Sequence, residues 1–200
     1  MKFAVSSSEL LKGLLTVSKA IPSKATEAIL EDYLFSLSGD LLEVTASDKE
    51  ITMKTSIAVD NKEGDGRIAV PARQLNDLLR ELPDQPLTIR TISENQFECA
   101  WASGESSLPY FNPDDYPECQ TTGPDAITVE FPAMTLVDGI SRTIYASSDE
   151  DNRPVMNSIF FDINPDSTTL VASDLQKLTC YTADDVKAEN PCSFILNKRH

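Results

Sequence analysis

Ala46-Ser47-Asp48 recurs as Ala172-Ser173-Asp174, and the residues around both copies keep the same spacing. Reading outward, Val44-Thr45-Ala46-Ser47-Asp48 aligns with Leu170-Val171-Ala172-Ser173-Asp174 at an offset of 126. Ile29-Leu30-Glu31-Asp32-Tyr33-Leu34-Phe35-Ser36-Leu37 aligns with Val155-Met156-Asn157-Ser158-Ile159-Phe160-Phe161-Asp162-Ile163 at the same offset. Phe3 and Val5 map to Val129 and Phe131. Leu10, Gly13 and Leu14 map to Leu136, Gly139 and Ile140, and Ile68-Ala69-Val70 maps to Phe194-Ile195-Leu196. No gap is needed across these segments, and a colinear set at one offset is the mark of a duplicated structural unit.

A weaker repeat lies inside the first unit. Phe3-Ala4-Val5-Ser6-Ser7-Ser8-Glu9-Leu10 resembles Ile68-Ala69-Val70-Pro71-Ala72-Arg73-Gln74-Leu75 at an offset of 65. Each unit therefore reads as two copies of strand, helix, then several strands: an α+β fold of tandem βαβββ halves, with the helices on one face of antiparallel sheets. A helix is predicted over residues 8–20. Ser6-Ser7-Ser8-Glu9 is a capping-box sequence, and Leu10, Leu14 and Ile21, with Leu11 and Leu15, make an apolar stripe of helical period. A second helix is predicted over 71–82, with Pro71 as its first residue, where a missing N–H costs nothing. It buries Leu75, Leu78, Leu79 and Leu82 and stops at Pro83. A third opens at Pro132, with Leu136, Val137, Ile140 and Ile144 inward. Leu42–Ala46 and Thr52–Val59 are β-rich and bounded by turn residues. Leu87–Ile92 and Gln96–Ala102 form a hairpin around Ser93-Glu94-Asn95. Cys119–Asp125 has no apolar pattern and reads as a linker. The expected units are 1–122, complete, and 123–200. By the 126 offset Lys198-Arg199-His200 matches Ala72-Arg73-Gln74, so the second unit is expected to hold only its N-terminal part, with exposed strand edges and apolar surface.

Composition narrows the function. With 40% apolar and 24% charged residues, the 200-residue chain belongs with soluble globular proteins. No run approaches the ~20 apolar residues that span a bilayer, and the N-terminus has no signal-peptide core, so a cytoplasmic protein with no membrane partner is expected. The four cysteines are scattered and the one histidine is His200, which leaves no zinc-ligand cluster and no histidine-based triad. No Gly-Lys-Ser/Thr phosphate loop occurs, and no cofactor is expected. The 32 acidic residues could in principle hold a paired-carboxylate site, but carboxylates this numerous usually form a solvated surface. The net charge of −15 argues against an ordinary nucleic-acid binder, which carries a basic patch.

At this point an ordered set of motifs carries a resemblance. Met1-Lys2-Phe3, Ser8-x-Leu10-Leu11, Leu30-x-x-x-Leu34-Phe35, Ala46-Ser47-Asp48-x-Glu50, Val70-Pro71-Ala72-Arg73, Leu82-Pro83, Asp115-Tyr116-Pro117, Arg153-Pro154-x-Met156-Asn157 and Ala172-Ser173-Asp174 match the bacterial sliding clamp in order. The chain resembles the beta subunit of DNA polymerase III across nearly its whole length. The resemblance implies the DNA-clamp fold and a non-enzymatic processivity factor. Such a clamp has three similar domains per chain and pairs into a homodimeric ring, so the third domain is expected to lie outside this chain. A ring holds duplex DNA by topology, which reconciles DNA with a strongly negative surface, since tight phosphate contacts would oppose sliding.

The resemblance implies DNA-facing roles for Lys12, Lys19, Lys24, Arg73, Arg80, Arg142 and Arg153. Asp77 and Asp138 share the helical faces, and Glu150 makes the loop Ser147–Asn152 acidic. It also implies one wall of a partner-peptide pocket, at Met156, Ser173, Leu175, Gln176, Lys177 and Leu178, where members often carry Gly-His in place of Leu175-Gln176. The implied partners are double-stranded DNA, the DNA polymerase III alpha subunit, the clamp loader and other proteins with clamp-binding motifs. Leu108 and Phe111, near the expected edge strand of the first unit, are candidates for the ring contact and are expected to be exposed, or used in a non-native contact, in a chain that cannot close the ring. Two other classes remain open on the residues alone: an acidic β-rich peptide-binding adaptor with no DNA role, and a carboxylate hydrolase, which needs two acids in a cleft with raised pKa values.

Overall fold

The computed structural model describes residues 1–22, 25–118, 123, 126–150 and 152–198. The chain divides into two compact units, Met1–Gln120 and Thr121–His200. Most of the expected linker, and Lys24 with it, lies outside the described residues.

Unit 1 begins with β1 (Lys2–Ser6), α1 (Ser7–Val17), β2 (Asp32–Ser38), β3 (Leu41–Ser47), β4 (Thr52–Ala58) and β5 (Asp60–Glu63). It continues with β6 (Gly66–Pro71), α2 (Ala72–Glu81), β7 (Pro86–Thr91), β8 (Gln96–Trp101) and β9 (Gly104–Pro109). The second half, β6-α2-β7-β8-β9, is the expected βαβββ; the first has one strand more, the short β5, and the halves exchange strands. β1 pairs antiparallel with β7 of the second half, placing Phe3 opposite Ile89 and Val5 opposite Leu87. β6 pairs antiparallel with β2 of the first half, placing Tyr33 opposite Val70 and Phe35 opposite Ile68. The sheets run β5-β1-β7-β8-β9 and β4-β3-β2-β6. Each half thus lends its first strand to the other's sheet, and neither can bury its apolar face alone. One core results, in which Phe3, Leu10, Leu14, Phe35, Ile68, Leu75, Leu79 and Phe97 are all at most 3% exposed.

α1 starts where Ser6, still extended at ψ 135°, accepts a hydrogen bond from the Glu9 N–H at 3.4 Å. That is the forward half of a capping box. The Ser6 and Ser8 hydroxyls turn instead to Asp84, whose carboxyl they hold below the usual range. The α-helix ends at Val17 and continues as a 3-10 turn over Ser18–Ala20. Leu15, expected inward, is 39% exposed, because the buried stripe runs through Ser7, Leu10, Leu14 and Val17 and leaves Leu15 off its edge. Pro71 is the last residue of β6 and the N-cap of α2, not its first turn; its φ of −54° serves both the strand end and the helix start. α1 and α2 lie side by side, joined by a buried relay in which Asn76 Nδ2 donates to the Tyr33 hydroxyl at 2.8 Å and that hydroxyl donates to the Leu14 carbonyl.

Unit 2 contains α3 (Ala133–Thr143), β10 (Ser158–Ile163), β11 (Thr168–Ser173), β12 (Leu178–Ala183) and β13 (Cys192–Asn197), in the sheet order β12-β11-β10-β13. The 126 offset holds to the residue. α3 falls on α1 and β13 on β6, Phe161 faces Phe194 as Phe35 faces Ile68, and Ile159 faces Leu196 as Tyr33 faces Val70. Gly13 and Gly139 share a reason. A Cβ there would stand 2.6 Å from Ile57 and 2.9 Å from Leu170 respectively, so both helices sit on their sheets at glycine contact distance. Val137, expected inward, is 54% exposed, since α3 buries Gly139 and Thr143 and half-buries Leu136 and Ile140. Thr128–Pro132, the counterpart of β1, forms no strand.

Candidate functional site

The outer faces of the three helices carry five of the chain's 17 lysines and arginines. Over Ser7–Ala20, Ala72–Glu81 and Ala133–Thr143 stand Lys12, Lys19, Arg73, Arg80 and Arg142 against Glu9, Asp77, Glu81 and Asp138. These segments bear a net formal charge of +1, which leaves −16 on the rest of the chain. Periodicity explains the placement: the apolar stripe takes the inward positions, and charged residues at i, i+4 and i+7 fall opposite it. Lys12 and Lys19 are exposed, and neither forms an ion pair within 4.0 Å among the described residues. Arg73 is the most open, its side chain 94% exposed and 4.0 Å from Asp77. Arg80 lies 3.5 Å from the same carboxylate. Exposed pairs of this kind are worth ~0–1 kcal/mol, so both guanidinium groups stay available to an external anion. Arg142 leans over the Tyr181 ring, 5.9 Å from its centroid, and is drawn toward its own sheet. Arg153 is exposed in the turn where its carbonyl accepts from the N–H groups of Met156 and Asn157.

A second feature lies in unit 2. Tyr145, Arg153, Met156, Leu175, Gln176 and Lys177 border a cleft of about 600 Å³. Four large apolar residues are bare in this neighbourhood: Tyr145, Val155, Leu175 and Leu178, each more than 60% exposed. The cleft's wall is a tight turn over Ser173–Lys177. Ser173 Oγ accepts from the Leu175 N–H and donates to the Lys177 carbonyl, while Asp174 accepts from the N–H groups of Gln176 and Lys177 at 2.9 and 2.7 Å. Those backbone donors, Lys177's foremost, hold the Asp174 carboxyl below its usual range. Ser47–Ile51 in unit 1 repeats the three N–H bonds, from Lys49 to Ser47 Oγ and from Glu50 and Ile51 to Asp48, but there the Ser47 hydroxyl pairs with the Thr52 hydroxyl rather than with a backbone carbonyl. At the corner, Leu175 has φ 74° and its counterpart Lys49 φ 78°. Glycine occupies this region freely and leucine pays ~1–2 kcal/mol, so the turn holds a strained, exposed leucine at the cleft's mouth.

The structure brings Met156, Leu175, Gln176 and Lys177 together at the cleft. Ser173 stands behind them as the turn's hydrogen-bonding post, and Leu178 follows on β12. Motif reading missed Tyr145, whose carbonyl accepts from Lys177 Nζ and whose hydroxyl accepts from Thr179. It also missed Lys198, which reaches the Ser148 carbonyl and pairs with Asp149, holding that carboxyl below its usual range. A lone tyrosine and a lone lysine carry no spacing signal. Leu108 and Phe111 part company: Phe111 is 50% exposed and bridges Ala69 through its backbone, whereas Leu108, expected bare, packs against the unit 1 core from the edge strand β9. A raised carboxyl does occur at Asp32, pushed up to about 6 by burial and then by Glu31, but it is buried inside β2 at 4% exposed. Among the described residues no group of three or more His, Cys, Asp or Glu could hold a metal, and no helix is long and apolar enough to cross a membrane.

Residues 1–120 match the family model described as DNA polymerase III beta subunit, N-terminal domain. The beta sliding clamp of Halalkalibacterium halodurans is 28% identical over 205 residues, covering 97% of this chain and 53% of that protein. That of Synechococcus elongatus is 24% identical over 196 residues, covering 97% and 52%. The chain thus spans about half the length of the curated relatives it matches. Its fold is that of the DNA polymerase III subunit beta of Pseudomonas aeruginosa, with a TM-score of 0.89 at 24% identity over 100% of this chain and 54% of that one. It is equally that of the Helicobacter pylori beta clamp bound to a DNA ligase peptide, with a TM-score of 0.89 at 20% identity over 100% and 56%.

Proposed function

Because the chain belongs to the DNA polymerase III beta subunit family, we propose that it acts as part of a non-catalytic sliding clamp, a processivity factor of the cytoplasm that meets duplex DNA through its helices. The charge segregation supports this most directly: the helices carry +1 and the remainder −16. Lys12, Lys19, Arg73 and Arg80 supply the contacts in unit 1; Lys24, outside the described residues, is proposed to join them. Arg142 and Arg153 serve in unit 2 and are the weaker, one leaning on Tyr181 and the other following an acidic loop. Cations so few and so exposed cannot read base edges. They attract phosphates at any sequence, which is what sliding requires.

In the same reading 1–122 is the first clamp domain and 123–200 belongs to the second. The cleft beside Ser173–Lys177 receives clamp-binding peptides, whose apolar side chains would cover Tyr145, Val155, Leu175 and Leu178. The Helicobacter pylori clamp was solved with a DNA ligase peptide; for this chain the DNA polymerase III alpha subunit and the clamp loader are the proposed partners. The edge strand β9 with Phe111, backed by Leu108, is the proposed ring contact of a homodimer, because an unpaired edge flanked by an exposed aromatic ring is where a sheet can continue into a second copy.

The test is a salt titration with duplexes of unrelated sequence. The expected dissociation constant is ~10⁻⁴ M or weaker at physiological salt, falling steeply as salt is lowered, and equal for all duplexes. Changing both Arg73 and Arg80 to Ala is expected to flatten the slope of log K against log salt by about 1–2, since each phosphate neutralised contributes ~0.9. A marked sequence preference, or a double variant that binds like the parent, would defeat the DNA reading. Peptide binding that persists without any DNA binding would favour the adaptor.

A further inference from the structure

Among the described residues, three that are not glycine have a left-handed backbone: Lys49, Asn61 and Leu175. Two of them are accounted for. Asparagine enters this region at little cost, and Lys49 pairs with Glu27. Leu175 has no such account. Its side chain is 66% exposed, so the leucine gains little from packing. The bonds that close its turn run from backbone N–H groups of residues 175, 176 and 177 to Ser173 and Asp174, and glycine would make them equally well. In the free chain the leucine thus adds strain, bares apolar surface and contributes little to the fold. Strain held without a folding gain points to a role in binding.

Its position decides what it acts on. Leu175 borders the cleft proposed above to receive peptides, together with the apolar bodies of Tyr145 and Met156. Two cations on the same border are already matched: Lys177 lies 3.1 Å from Asp174, and Lys198 pairs with Asp149. The corner of the turn therefore offers a ligand an apolar side chain between internally paired charges.

We propose that Leu175 is the specificity-determining residue of this cleft: it closes over a bulky apolar side chain of the bound peptide, and that contact, made only in the complex, offsets the strain of its backbone. The inference rests on the reading of the cleft as a peptide site. Because the contact is driven by burial of apolar area, the cleft favours a large side chain at that place over a small one. The preference is lost when Leu175 is removed.

The probe is the DNA ligase peptide of the Helicobacter pylori clamp structure, with a set of versions in which each of its apolar side chains in turn is cut to alanine. Binding to the full 200-residue chain is followed by amide shifts, and stability by urea unfolding. Leu175→Gly is expected to bind the unaltered peptide about tenfold more weakly than the parent, the equivalent of one leucine side chain left unburied, while unfolding at no lower urea concentration. Leu175→Asn, which suits the same backbone without glycine's freedom, is expected to behave alike. Lys49→Gly relieves the matching turn of unit 1 and is expected to leave peptide binding unchanged. One alanine version is expected to bind the parent about tenfold more weakly than the unaltered peptide does, and to lose that difference against Leu175→Gly, which is the coupling a direct contact requires. If the parent binds and Leu175→Gly binds as well or better, or if no alanine version couples to it, the proposal falls and the cleft remains a peptide site. Lower stability of both Leu175 variants makes the leucine structural and also overturns it. A parent that binds none of the peptides removes the peptide reading itself, and this role with it.

Discussion

Phe35→Ala is expected to lower the stability of unit 1 by about 3–5 kcal/mol, the range for truncating a fully buried aromatic ring. Phe35 is 0% exposed at the centre of the β4-β3-β2-β6 sheet, facing Val44 on β3 and Ile68 on β6. β6 comes from the other half, so the ring sits where the halves exchange strands. The cavity would therefore touch residues of both halves, and neither can relax into it alone. The measurement is urea unfolding followed by the fluorescence of Trp101, the chain's one tryptophan, on β8 of unit 1. A shift under about 1 kcal/mol would mean that the halves do not share a core in solution.

Asp32→Asn is expected to stabilise the chain by roughly 2–3 kcal/mol at neutral pH, and by almost nothing below pH 4. Burial, helped by the neighbouring Glu31, raises the Asp32 carboxyl from its ordinary 3.8 to about 6. Its ionised form is therefore disfavoured in the folded state. The contribution of the protonated carboxyl is fully present below the unfolded pKa and is lost as pH rises through the folded one. Asparagine is never charged, so the gap between variant and parent opens from about pH 4 and levels off by about pH 7. Carboxyls whose pKa is lowered by partners, such as Glu63 beside Lys2 and Asp84 beside Ser8 and Ser6, lose stability in the opposite direction as pH falls. They are common to both proteins and cancel in the difference. Denaturant melts of the pair between pH 4 and 8 check this. A gap that stays constant across the range would place Asp32 in a solvated, ordinary environment.

Much of this architecture is legible in the residues, because repeats expose it twice. The pairing of Gly13 with Gly139 marks the same close helix–sheet approach in both units, and the α1 and α3 boundaries coincide at the 126 offset. Exchange of β1 and β6 between halves is not legible, since alternation says which face a strand buries but not which neighbour it pairs with. Leu15 and Val137 were misjudged for a related reason. Stripes of four or five apolar residues hold more positions than the helix buries, and only the three-dimensional packing shows which edge is left out. Ile127–Phe131 has the composition of a strand and forms none, because strand formation needs a partner and not only a pattern. At the candidate site, Arg73, Arg80 and the turn Ser173–Lys177 come from motif and period. Tyr145 and Lys198 enter through contacts across more than thirty residues of chain, which spacing does not encode.

The account's central claim is that DNA meets the helices and not the sheets. Backbone amide shifts of the labelled chain, recorded at low salt with and without a short duplex of arbitrary sequence, test it most directly. The account predicts perturbations on the exposed positions of α1 and α2, around Lys12, Lys19, Arg73 and Arg80, with β4, β8 and β9 silent. Perturbations concentrated on those strands, with the two helices unmoved, would contradict it.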